Sequence, residues 1–219
     1  MHRTRLLIIG AGGHGRDIVW LARDCAIFDV VGLLDDTLSP GTLIAETSVL
    51  GSIADWHMFA EEAELVIAVG APRARRAIDR LVRSSAPNGR QPRYASLIHP
   101  SVIRSEPCQI GAGSMICAGA ILASNVRLGA HTIVNIGCTV GHDVQTAGFC
   151  TLAPRAVVSG NVILEEAVEI GAGAVVREKT RFGVGSMAAM GAVVMKDVPA
   201  FAMVLGNPAR PLQELDPLA

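Results

Sequence analysis

The sequence predicts two architectures in series: a small α/β domain on a parallel sheet, then an all-β parallel prism. Three observations carry this. The 219-residue chain is 50% hydrophobic but only 4% aromatic, with 23 glycines. Its core is therefore aliphatic and regular, not the irregular kind that aromatic side chains fill. Short aliphatic runs alternate with helical stretches through residues 1–100, and a large aliphatic residue recurs every six positions through most of residues 101–219. Those two ranges are the expected domains.

Residues 6–9 form a continuous aliphatic run, as a strand buried on both faces requires. The run leads into Gly10-Ala11-Gly12-Gly13-His14-Gly15, after which Ile18, Val19, Leu21 and Ala22 give residues 16–25 a helical spacing. Residues 30–34 make a second strand ending in Asp35-Asp36, and residues 53–62 a second helix. Residues 65–69 are a third strand ending at Gly70, and residues 72–83 a basic helix opened by Pro72. A loop around Gly89 follows, and residues 94–98 close the domain. Such alternation builds a parallel sheet.

Gly10, Gly12 and Gly15 fit G-x-G-x-x-G in a strand-to-helix setting, with Asp35 and Asp36 about twenty residues on. Glycines let a ligand approach the backbone, and a helix N-terminus offers unpaired N–H groups to phosphate. Two readings compete. Either Gly12, Gly13 and His14 meet a ligand, or the glycines serve helix–strand packing alone. Asp35 and Asp36, with Gly70 at the neighbouring strand end, suit hydrogen bonds to a ribose or base; the rival reading is a solvated turn. A nicotinamide dinucleotide fits poorly, because a segment of 100 residues is too short for both mononucleotide halves.

Taking every sixth residue from Ile110 to Val194 gives fifteen positions, thirteen of them sizeable and apolar; only Thr146 and Ala188 fall short. The register two residues earlier, from Cys108 to Ala192, is small or β-branched throughout. Neither a helix nor an ordinary strand holds period six on one inward face. A parallel β-helix does, when each unit is one flat side and three sides make a coil. The large aliphatics fill the prism, the small residues sit where the chain turns, and glycine serves the turns. Each buried aliphatic contributes roughly 1.5–3 kcal/mol before entropy is subtracted.

Composition excludes other classes. A net charge of −1 removes any general electrostatic case for nucleic acid or an anionic membrane. Residues 107–126 carry no charge and match a membrane span in length, but Gln109, Ser114, Ser124, Asn125 and several glycines interrupt them. The basic N-terminus precedes an apolar run too short for a signal peptide. Five cysteines without framework spacing suit a reducing cytoplasm. The expected address is cytoplasmic.

His142 falls two positions past the inward Val140, so it points out of the prism, and an acid, Asp143, follows it. Imidazole suits removal of an amine proton near neutral pH, and a paired carboxylate fixes its tautomer. Together the glycine loop, Leu34-Asp35-Asp36, Val69-Gly70, Ile98-His99-Pro100, the stretch from Asn135 to Asp143, and Gly206-Asn207-Pro208-Ala209-Arg210 resemble the NeuD/PglD-type sugar O-/N-acetyltransferases. The match covers nearly all of residues 5–211.

The resemblance implies a Rossmann-like N-terminal domain, a left-handed β-helix and a homotrimer using acetyl-CoA. The acceptor it implies is a nucleotide-linked amino sugar or sialic acid, so that O-acetylation and a non-catalytic sugar-nucleotide scaffold stand beside N-acetylation. His142 is implied as general base, Asp143 as its modulating carboxylate, and Asn135 as an aid to base or acceptor. The N-terminal domain would present the acceptor through Gly12, Gly13, His14, Asp35, Asp36 and Gly70. Thr151, Ala172 and Met190 are the implied acetyl-CoA contacts, with Gly160 allowing close approach. Thr151 stands where relatives often have histidine and Met190 where glycine is common. Arg210 is a candidate for the CoA phosphates. No metal is expected, although some prism trimers are zinc enzymes with three histidines; here the repeats hold only His131 and His142. Cys117 is the rival nucleophile, while Cys108, Cys138 and Cys150 occupy packing positions.

Overall fold

A computed structural model of the protein describes residues 3–60, 62–87 and 91–218; the loop expected around Gly89 lies outside them. The N-terminal sheet is centred on β1 (Thr4–Ile9), flanked in parallel by β2 (Phe28–Leu34) and β3 (Ala63–Ile67). Helix α1 (Gly13–Asp24) covers one face, packing Ile18, Val19 and Ala22 on Leu6, Ile8 and Leu33. The other face buries Leu7, Ile9 and Ile67 with Trp56 and Val82, the latter from the basic helix, which spans Pro72–Ser84.

Two elements differ from expectation. The helix expected over residues 53–62 is a 3-10 turn, Ile53–Asp55, running into the single-turn α2 (Trp56–Phe59). Its apolar spacing serves one anchor, the buried Trp56, whose indole N–H donates to the Val82 carbonyl at 2.9 Å. An edge hairpin, Leu43–Ile44 with Thr47–Gly51, was not foreseen. It turns on Ala45 and Glu46, both at positive φ, and so lacks the Asn-Gly or Asp-Gly signal of such turns.

The segment expected to close the domain divides. Tyr94 bridges Leu65, whereas Leu97–Ile98 pairs with Met115–Ile116 and starts the prism. From there two-residue strands recur to Val193–Val194, each paired in parallel with the next coil, as in Ile121, Thr139, Val157, Val175 and Val193. This is the left-handed β-helix. Both registers are interior: Ile116, Leu122, Val134, Val140 and Leu152 are fully buried, and so are Ala120, Cys138, Ala156 and Ala174. Every sixth residue from Gly113 to Gly191 has positive φ, and eight of these corners carry a side chain instead of glycine, His131 and Asp143 among them. The stacked ladder holds conformations that L-residues ordinarily avoid.

The three faces differ. One, carrying Met115, Ile133 and Thr151, is buried beneath the N-terminal domain and joins its core. A second presents Gln109, Arg127, Gln145 and Arg181 outward. The third exposes Ile103, Ile121, Val157 and Val175 to solvent. After the prism, Ala202–Gly206 extends the covered face and turns back antiparallel into Ala209–Glu214. Among the described residues no helix is long and apolar enough to cross a membrane.

Candidate active site

His142 and Asp143 occupy one corner, where positive φ at Asp143 turns the chain and leaves both side chains exposed. His142 Nδ1 lies 2.8 Å from Asp143 Oδ2. Asp143 Oδ1 accepts from Asn125 Nδ2 at 2.6 Å, one coil earlier. The Asn125 and His142 hydrogen bonds hold the Asp143 carboxyl below its usual range, so it is ionised and accepts a hydrogen bond from the Nδ1–H of His142. Nε2 is left as the basic nitrogen. Gly160, one coil later, lies under the ring: a Cβ there would stand 2.5 Å from Nε2. The glycine expected to admit a donor thus makes room for the imidazole. Asn125 was missed, although stepping back one coil from Asp143 finds it.

The glycine loop splits by role. A Cβ on Gly15 would meet the Gly10 carbonyl at 2.1 Å, and Gly10 has φ of +99° against Ala68 and Val69; these two serve packing. Gly12 and Gly13 have nothing within 4 Å of a built Cβ, so the fold does not require them to be glycine. They leave the start of α1 open to solvent. Asp35 Oδ2 accepts from the Ala11 amide at 2.8 Å and Oδ1 from the Thr37 amide and hydroxyl. Burial works against its charge, but these bonds prevail and hold its carboxyl below the usual range. Asp36 Oδ1 accepts from the Ile53 amide. Both acids order the strand end, and Asp35 does so against the glycine loop.

His14 and Asn135 come together, but not with His142. They line a cavity of about 180 Å³ between α1 and the prism corner at Asn135 and Ile136. His14 Nε2 is buried without a hydrogen-bond partner among the described residues, and burial first, then the Arg75 charge, lowers its pKa. Asn135 Oδ1 accepts from the Ile136 amide. The corner of Asn135 and the corner of His142 flank the exposed aliphatic face, with Thr139–Val140 between them.

The PglD N-terminal domain family matches residues 5–80. Over nearly its whole length the chain is 33% identical to the acetyltransferase domain of PglB from Neisseria gonorrhoeae FA1090, solved in complex with acetyl coenzyme A. That match covers 96% of this chain and 100% of the other, with a TM-score of 0.81. The chain belongs to the NeuD/PglD-type sugar acetyltransferases. GDP-perosamine N-acetyltransferase of Escherichia coli O157:H7 is 29% identical over 216 residues, 94% of this chain and 95% of that one. PerB from Caulobacter crescentus, solved with CoA and GDP-perosamine, is 27% identical over 95% of this chain and 97% of the other, with a TM-score of 0.84.

The remaining acetyltransferase positions separate. Ala172 and Met190 continue the Ile136 corner on later coils, and Met190 is exposed. Thr151 does not join them. It is buried under the N-terminal domain, donating to the Gly70 carbonyl at 2.8 Å and accepting from Arg75. Arg75, missed because a basic helix reads as a solvated face, is fully buried. Its guanidinium donates to the carbonyls of Val69, Gly70, His131, Phe149 and Cys150, and burial pulls its pKa down to about 10. Gly70 thus works as a carbonyl acceptor at the domain junction. Arg210 is exposed beside Lys196 at a cavity of about 460 Å³ at the prism's far end.

Burial pushes the thiols of Cys117 and Cys150 up to about 12 and that of Cys138 to about 11, which disfavours the thiolate a nucleophile needs. Among the described residues no three His, Cys, Asp or Glu side chains group as a metal site. His131 is buried between Tyr94 and Phe149, far from a ligand's reach.

Proposed function

We propose that the protein transfers the acetyl group of acetyl-CoA to the amine of a nucleotide-linked amino sugar, with His142 as general base. The observation that carries this is the chain Asn125–Asp143–His142, which fixes Nε2 as the free basic nitrogen over Gly160. The amine attacks the thioester carbonyl directly, forming C–N as C–S breaks. Nε2 takes the amine proton and returns it to the departing thiolate. Asp143 stays ionised and stabilises the imidazolium. Relatives named for perosamine N-acetylation favour an amine over a hydroxyl acceptor.

Residues 1–100 present the acceptor, with the diphosphate at Gly12 and Gly13, and residues 101–219 carry out transfer, with acetyl-CoA along Ala172 and Met190. The working form is a homotrimer in the cytoplasm, where five free thiols stay reduced. The exposed aliphatic face supports the trimer. Turned toward a threefold axis, it sets one flanking corner of each subunit against the other corner of its neighbour. His142 of the partner subunit then meets His14 and Asn135. A monomer mass by sedimentation equilibrium would remove this assembly. The activity is tested by thiol release from acetyl-CoA against GDP-, UDP- and dTDP-linked 4-amino sugars and free sialic acid. Release with an amino-sugar nucleotide is expected; release with sialic acid alone moves the activity to a hydroxyl, and no release leaves a binding scaffold.

A further inference from the structure

The cavity between α1 and the Asn135 corner has features that the proposed reaction leaves unused. At about 180 Å³ it is close to the roughly 150 Å³ of an apolar cavity that takes up one benzene ring. It therefore holds one six-membered ring and not a whole sugar nucleotide. Asp17 and Trp20 line it from α1, Ala118 and Ile136 from the prism. Gly13 begins the same helix, and a rise of 1.5 Å per residue puts Asp17 about 6 Å along the axis from it. A ring bonded to a diphosphate at Gly12 and Gly13 reaches that depth.

The side chains suit a sugar carrying an amine. Trp20 is 49% exposed, with Arg23 over its ring at 4.7 Å; such a surface packs on the carbon-bound hydrogens of a pyranose. Asp24, further along the helix, is engaged by His99 Nε2 at 3.4 Å, because His99 Nδ1 accepts the Ser101 amide and leaves the proton on Nε2. Asp17 has no hydrogen bond or ion pair among the described residues, yet its charge is felt at both His14 and Cys117. Asp17 is exposed, and a carboxylate without a partner at the rim of a one-ring cavity complements an ammonium group. His14 Nε2, buried and unpaired in the same wall, is a group that a bound ligand satisfies.

We infer that Asp17 and Trp20 determine specificity for the amino-sugar ring that the proposed acceptor site puts in this cavity. The indole lies against the ring and the Asp17 carboxylate draws in the resting ammonium, so that an amino sugar binds better than its hydroxy counterpart. The inference rests on the proposed activity and concerns binding; the neutral amine is still what reacts at His142.

Two measurements decide it, using the 4-amino-sugar nucleotide that the unmodified protein acetylates. Asp17→Asn is expected to raise KM about tenfold or more, with kcat and the affinity for the free nucleoside diphosphate nearly unchanged. An unchanged KM overturns the assignment. The chain has two tryptophans, and Trp56 is buried, so Trp20 reports on the cavity. The amino-sugar nucleotide is expected to change tryptophan emission where the free diphosphate does not, and Trp20→Phe to abolish the change. A Trp20 response to acetyl-CoA alone assigns the cavity to the pantetheine arm and also overturns the inference. If the unmodified protein acetylates none of the compounds, the proposed activity falls, and the Trp20 titration with the same compounds still decides the cavity.

Discussion

His131 and His142 belong to the same six-residue repeat and stand at corners of the same prism, yet their surroundings give them opposite roles. At His131 the N-terminal domain lands on the corner. The ring is stacked 4.9 Å from Phe149, edge-on to Tyr94 at 4.4 Å, with Nε2 3.5 Å from Asp79. Burial pushes its pKa down to about 4. At His142 the corner is exposed, and the ring keeps one nitrogen on Asp143 and the other without a hydrogen bond among the described residues. The repeat supplies a position that projects a side chain outward. What packs on that corner decides between a wedge and a base.

The largest expected effect falls on the covered corner. Arg75→Met removes a donor from five carbonyls. Gly70 keeps Thr151 and Cys150 keeps the Ile133 amide, which leaves those of Val69, His131 and Phe149, and an unsatisfied buried acceptor costs about 1–3 kcal/mol. Urea unfolding should show a loss of about 3 kcal/mol or more. A smaller loss means that the two domains hold together without the guanidinium.

At the open corner the effects appear in rate, not stability. Gly160→Ala puts a methyl 2.5 Å from His142 Nε2 and forces the ring away. The turnover number should fall about a hundredfold while the melting temperature barely moves; wild-type turnover would place the working nitrogen elsewhere. Asn125→Ala removes one restraint on Asp143 and leaves the other, so a fall of about tenfold is expected in steady-state kinetics, in the lower range for lost orienting partners.

A pH profile separates the two histidines. His131 titrates near 4 when folded and near about 6.5 when unfolded. Between those values the unfolded chain binds a proton that the folded chain does not, so stability falls as pH drops from about 6.5 toward 4. His131→Asn, which tolerates the positive φ, should flatten that stretch of the urea-midpoint profile. An unchanged slope would show that His131 is not the group responsible.

The prism was readable because its contacts repeat: one register fixes the buried positions from Ile116 to Val194, and the corner rule alone turned His142 outward. Contacts made once were not readable. Arg75 satisfies carbonyls on two domains, and no local pattern in a basic helix signals that. Thr151 was expected along an open groove because the repeat does not say which face the N-terminal domain covers. Asn135 was expected to aid base or acceptor; the chain alone sets it beside His14, across the aliphatic face from His142. Gly12 and Gly13 differ from Gly10 and Gly15 only in what surrounds a missing Cβ, and sequence spacing does not record that.

The central claim is that His142 moves the proton. Acetyl transfer to an amino-sugar nucleotide, followed at saturating acetyl-CoA under chemistry-limited conditions, tests it in the His142→Ala protein. The account predicts a fall of about 10²- to 10⁴-fold in turnover with melting temperature and acetyl-CoA affinity unchanged. Wild-type turnover in that protein would contradict it.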